Sequence, residues 1–131
     1  MRSESVTTVL GVPREEIFDY LSDIENLPDW ATEFARELKR EGGRFKVVNG
    51  LGEFFFEIRA DRETGVIDMF AGPTQEEMAI FPTRAVSLPD GQTAYTFTMF
   101  QGPDMPDELF ESQHASLLRE LENLERRFGG S

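Results

Sequence analysis

Three side chains in this sequence could move a proton or orient a carbonyl: His114, Asp68 and Tyr95. His114 is the only histidine, so any imidazole chemistry near neutral pH must use it. It stands four residues after Phe110 and three before Leu117, on or beside the apolar face of a helix holding all three. There it either meets a ligand's carbonyl or hydroxyl, or rests half-exposed at the edge of the stripe. Asp68 lies in the run Val66-Ile67-Asp68-Met69-Phe70. If Val66, Asp68 and Phe70 face inward, the carboxylate loses its hydration, its pKa rises and it serves as an acid or base; the other register points it to water. The same choice applies to Glu57 and Arg59 in Phe54-Phe55-Phe56-Glu57-Ile58-Arg59, where a solvated outer face is the simpler reading. Tyr95 adds one hydroxyl able to orient a carbonyl.

Other chemistries lack their residues. With no cysteine there is no disulfide, thiolate nucleophile or thiolate metal site. No Gly-rich phosphate loop, nucleophile elbow or histidine-carboxylate metal set is present, so no cofactor or metal is implied. The 25 acidic and 13 basic residues give a net charge of -12, which repels phosphate backbones and argues against nucleic acid as a partner. No run approaches the roughly 20 apolar residues of a membrane span, and residues 1–10 do not read as a signal peptide, so the cytoplasm is expected. Twelve Phe point to a core or an apolar cavity wall, because Phe carries no polar handle.

The elements that must position these residues are readable in outline. The 131 residues fit one domain, 1–131. A β-branched run at 5–11 predicts a first strand. Pro13, Glu15 and Glu16 open a helix whose face is Ile17, Phe18, Tyr20 and Leu21 and which ends near Asp23. A second short helix is predicted over 27–34, with Trp30 and Phe34 on one side. From Glu37 to Gln101, Gly42-Gly43, Asn49-Gly50, Gly65, Gly72-Pro73 and Pro89-Asp90-Gly91 punctuate a meander. Its strands are expected at 45–48, 53–59, 66–70, 77–87 and 93–100, making six or seven in all, and Asn49-Gly50 is the best hairpin signal. From Pro106 a long amphipathic helix repeats Leu109, Phe110, Leu117, Leu118, Leu121, Leu124 and Phe128, with Arg126 and Arg127 at its negative end and Gly129-Gly130 as its stop.

This order, and two stretches within it, resemble the START-like, Bet v 1-like (SRPBCC) superfamily, in particular its small bacterial polyketide cyclase/dehydrase-like branch. The first stretch runs from Val12 to Trp30, a proline-led helix with Phe18 followed by Asn26-Leu27-Pro28-Asp29-Trp30. The second, Phe97-Thr98-Met99-Phe100-Gln101-Gly102-Pro103-Asp104-Met105-Pro106-Asp107-Glu108-Leu109-Phe110, resembles the branch's last strand and the start of its final helix. The resemblance covers essentially the whole chain. It implies an α+β helix-grip fold in which a curved antiparallel sheet of six to seven strands holds the C-terminal helix around an apolar pocket. Where relatives of this branch often carry Asp-His after a Gly-Val pair, this chain has Gly65-Val66-Ile67-Asp68-Met69, keeping the acid and losing the histidine.

With that fold, Trp30, Phe34, Phe56, Met78, Phe97, Met99 and Phe110 are the candidate lining, with His114, Asp68 and Tyr95 as candidate catalytic groups. Three functions stay open. The chain binds a small hydrophobic molecule of aromatic, lipid or polyketide-like character; it is a polyketide cyclase or dehydratase using the same pocket; or its core is filled and it is a protein-interaction module. A monomer or weak homodimer is expected, since nothing in the sequence demands more.

Overall fold

The computed structural model describes residues 1–129, so Gly130 of the expected helix stop lies outside the described residues. Strand β1 (Ser3–Leu10) leads through Gly11 into helix α1 (Arg14–Ser22), a single 3-10 turn (Ile24–Asn26) and helix α2 (Leu27–Trp30). The meander comprises β2 (Glu37–Glu41), β3 (Arg44–Asn49), β4 (Gly52–Asp61), β5 (Val66–Gly72), β6 (Ala79–Phe81), β7 (Thr83–Ser87) and β8 (Thr93–Phe100), and helix α3 (Asp107–Phe128) follows. The strands form one antiparallel sheet in the order β1-β8-β7-β5-β4-β3-β2, with β6 paired to β5. The architecture is α+β, a sheet with a long helix against one face. No helix among the described residues is long and apolar enough to cross a membrane.

The strand count is eight, not six or seven, for two local reasons. The run expected at 77–87 divides at Pro82, which has no N–H to give a ladder; its carbonyl still accepts from Thr98 N at 2.9 Å. Strand β2, Glu-Leu-Lys-Arg-Glu, is charged throughout and turns only Leu38 toward the core, so it carries little hydrophobic signal. It is an edge strand, joined to β3 by Gly42 and Gly43 with φ of 59° and 78°, the pair of positive values that a two-residue hairpin turn requires. At the next hairpin, Asn49 is already paired with Gly52, so Gly50 and Leu51 are the turn and Asn49 is its side-chain cap, accepting from Leu51 N at 2.9 Å. The hairpin forms, displaced by one residue from the expected Asn-Gly pair.

Pairing register fixes which side chains look inward. On β8, Tyr95, Phe97 and Met99 share a face with Thr8, Val6 and Glu4 of β1. On the opposite face, Ser5–Thr98 and Thr7–Thr96 are joined hydroxyl to hydroxyl at 2.7 and 2.8 Å. On β5 Ile67, Met69 and Ala71 are buried in alternation, with Gly72 buried at the strand's end. Asp68 is therefore on the outer face with Val66 and Phe70, opposite Arg59, and the inward register for Asp68 is not the one adopted. Glu57 and Arg59 are also outside, ion-paired to each other at 3.0 Å, with the Arg59 guanidinium over the Phe70 ring.

The core lies between this inner face and the helices. Ile17, Phe18 and Leu21 of α1, Leu27 and Trp30 of α2, and Phe110, Leu117, Leu121 and Leu124 of α3 are buried there. Leu118, although apolar, is 43% exposed, because it stands one residue round the helix from Leu117. Helix α2 ends at Trp30 rather than near residue 34. Ala31 leaves helical geometry (ψ 56°), so Trp30 and Phe34 are not on one helical face.

Candidate ligand pocket

Between the sheet and the first half of α3 is a cavity of about 460 Å3. That is room for a small organic molecule, since such sites usually measure about 300–1,000 Å3. Four rings follow one another along its wall: Phe56 of β4 is 5.6 Å from Phe34, Phe34 is 6.4 Å from Phe81 of β6, and Phe81 is 6.1 Å from Phe97 of β8. Met69 and Met99 complete the sheet side, and Leu109 and Leu117 face them from α3. The remaining boundary is polar: Glu33 and Arg36 from the segment after α2, the Asn49–Leu51 turn, and Ser112, Gln113, Ser116, Arg119 and Glu120 of α3.

The polar side is tied together by residues one helical turn apart. Arg119 grips Glu33 in a bidentate ion pair (2.7 and 2.8 Å), and Ser116 Oγ donates to the same carboxylate at 2.9 Å. This pairing, Arg119 first, holds the Glu33 carboxyl below its ordinary pKa. Asn123 Nδ2 donates to Trp30 O at 2.9 Å. Glu120 Oε2 accepts from two backbone amides, Glu33 N at 3.1 Å and Phe34 N at 3.0 Å. The other end of Phe34's backbone is held too, its carbonyl accepting from Asn49 Nδ2 at 2.8 Å.

Glu120 is only 5% exposed. Loss of hydration pushes its pKa up to about 7, with the Glu33 charge adding to the rise and the two backbone amides and Arg119 opposing it. It was not among the candidates from sequence. Its signal was its spacing: Leu117, Glu120, Leu121 and Leu124 follow the i, i+3, i+4, i+7 rhythm of a buried face, and Glu120 is the charged member.

Of the seven lining candidates, Phe34, Phe56, Phe97 and Met99 border this cavity. Trp30 and Phe110 do not. Both are buried in the core, Phe110 beneath the Arg2 guanidinium at 4.9 Å. Met78 instead borders a separate recess of about 680 Å3, beside Phe45, Phe55 and the charged side chains of Arg44, Glu57 and Glu76. None of the three proton-transfer candidates reaches the cavity. Asp68 is on the outer face, and His114 looks toward β1, its Nε2 4.0 Å from Glu4 Oε2. Tyr95 is wholly buried, and burial pushes its pKa far above the ordinary tyrosine range. Among the described residues its hydroxyl has no bonded partner: the nearby Thr83 hydroxyl, which pulls that pKa down against the larger effect of burial, donates to Ile67 O at 2.6 Å instead. Among the described residues there is no cluster of three or more side chains able to hold a metal ion.

No protein-family model matches this chain, and no curated protein matches it. Solved structures do. Protein XoxI from Bacillus cereus is similar with a TM-score of 0.76 at 12% identity, covering 98% of this chain and 96% of its own. The Aha1 dimer from Colwellia psychrerythraea has a TM-score of 0.71 at 14% identity, covering 100% and 99%. Zhui aromatase/cyclase from Streptomyces sp. R1128 has 0.64 at 21% identity, covering 99% of each chain. The chain has the helix-grip fold. The likeness covers nearly the whole chain, so the fold implied by the opening stretch 12–30 and the closing stretch 97–110 is the one the chain adopts.

Proposed function

We propose that this chain binds a small, largely apolar molecule of aromatic or polyketide-like character in the cavity between the sheet and α3. The observation that carries this reading is the cavity itself, about 460 Å3 walled by four phenylalanines and two methionines under a polar boundary. A filled core has no such space, and apolar side chains left facing it gain contacts from an apolar ligand. The similarity to an aromatase/cyclase fits a ligand of that character.

Native mass spectrometry of the purified protein, compared with a denaturing extract, tests for a co-purifying apolar species. Titration with an apolar fluorescent probe follows, using wild type, Ser112→Trp and Leu109→Trp, which place an indole into the space from α3. One-to-one probe binding that either substitution weakens tenfold or more, without loss of fold, is the expected result. No bound species together with no probe binding, or binding indifferent to both tryptophans, overturns the reading.

A further inference from the structure

We propose that Glu120 is the polar anchor of this cavity, its Oε1 accepting a hydrogen bond from a neutral hydroxyl on an otherwise apolar ligand. The inference rests on the cavity being a ligand site. Its own argument is a count of hydrogen-bonding capacity. Glu120 Oε2 is fully engaged by Glu33 N and Phe34 N, which fixes the carboxyl plane, while Oε1 has no protein donor among the described residues. Oε1 is not among the side-chain atoms shut away without a partner, so it keeps an opening at the cavity that Glu120 borders, where a ligand hydroxyl can take the place of water as its donor.

Three polar neighbours on the same boundary are committed elsewhere. Asn49 uses both ends of its amide on Phe34 O and Leu51 N, and Ser116 and Arg119 are bound to Glu33. Gln113 is seven residues earlier on α3, about 10 Å along the axis. The charged groups that act on Glu120 are Glu33 from the segment after α2 and Arg119 from its own helix, Arg36 borders the same cavity, and the sheet side supplies none. A neutral hydroxyl satisfies Oε1 without bringing a second desolvated charge into an apolar chamber, which an ammonium would do.

The obvious objection is that Glu120 merely ties the segment after α2 to α3. Oε2 alone does that, and a glutamine does it equally well through its amide oxygen while turning an NH2 toward the cavity. The test therefore compares 2-naphthol with 2-methoxynaphthalene, which share a ring system and differ in the donor, at pH 8 and pH 5.5, on wild type and Glu120→Gln. Wild type at pH 8 should favour the naphthol by about ten- to a hundredfold, as a hydrogen bond to a charged group does. The preference should shrink at pH 5.5, where the protonated carboxyl becomes a donor that the methoxy oxygen can accept, and should vanish in Glu120→Gln at both pH values. Equal affinities for the two probes in wild type at pH 8, or a preference that survives in Glu120→Gln, overturn the anchor while leaving the cavity intact. If neither probe binds, the ligand-site reading fails and the anchor with it. Should Glu120→Gln not fold, the wild-type comparison at two pH values decides alone.

Discussion

Glu120→Gln should make the folded protein more stable at neutral pH and above, with a gain that grows from about pH 4.5 to about pH 7 and then levels off. In the unfolded chain this carboxyl titrates near 4.5; in the fold, burial carries it to about 7. Below pH 4.5 both states are protonated and the wild type suffers no penalty. Between the two values the unfolded chain has released its proton while the folded protein retains it, so stability falls as pH rises, and above about 7 the loss is complete. At about 1.4 kcal/mol for each pH unit, that loss amounts to about 3 kcal/mol. The glutamine never ionises and keeps an oxygen for Glu33 N and Phe34 N. Urea midpoints of both proteins at pH 5, 6, 7 and 8 measure the effect. With a slope of about 2 kcal/mol per molar urea, the difference between the two midpoints should widen by about 1 to 2 M from pH 5 to pH 8. Glu33, whose carboxyl is held low by Arg119, contributes in the opposite sense: its stabilisation is present above its unfolded pKa and lost as pH falls through the lower folded one. Both proteins share that term, so it cancels to first order in the difference. A difference that stays flat from pH 5 to 8 would refute the buried, desolvated carboxyl on which the argument stands.

Two further predictions concern residues that carry no ligand argument. Tyr95→Phe removes a buried hydroxyl without a partner and keeps the ring, so stability should hold or rise by about 1 kcal/mol; a thermal melt lowered by several degrees would mean that the hydroxyl is bonded after all. Leu124→Ala, at a fully buried position, should cost about 2–5 kcal/mol, whereas Leu118→Ala should change stability by no more than about 0.5 kcal/mol; denaturant unfolding of the pair checks which face of α3 is the core.

Much of the fold was legible because its signals are local. The long helix announces itself through Pro106, its acidic first turn and its apolar repeat, and β8 is bounded correctly at 93–100 as a β-rich run after the Pro89-Asp90-Gly91 turn signal. What was not legible depended on partners far along the chain. Whether Asp68 or Met69 faces the cavity is a one-residue question that only pairing with β4 and β7 answers. Strand β2 has too few apolar residues to be seen, and it forms because β3 offers an edge and two glycines make the turn. The candidate site suffered most. Three of its four rings, Phe34, Phe56 and Phe97, are found by residue type and Phe81 is missed, while Trp30 and Phe110 have the same type and are core, since burial in a wall and burial in a core leave one signature. Glu120 was passed over as one acid among 25, although its position within the apolar stripe set it apart.

Ser116, Arg119, Glu120 and Asn123 recur at helical spacing, and all four bond to the short segment Trp30–Phe34. This row gives the final helix a second attachment besides its apolar face. The apolar face alone would pull α3 down onto Phe56, Met69, Phe97 and Met99 and close the space between them. Held laterally by a polar row whose bonds have fixed lengths and directions, the helix is propped at its distance from the sheet, and Phe34 is carried into the wall by the same bonds. One carboxyl thus has two tasks from its two oxygens: Oε2 fastens the segment that keeps the cavity open, and Oε1 is left as the acceptor that a ligand in that cavity would meet.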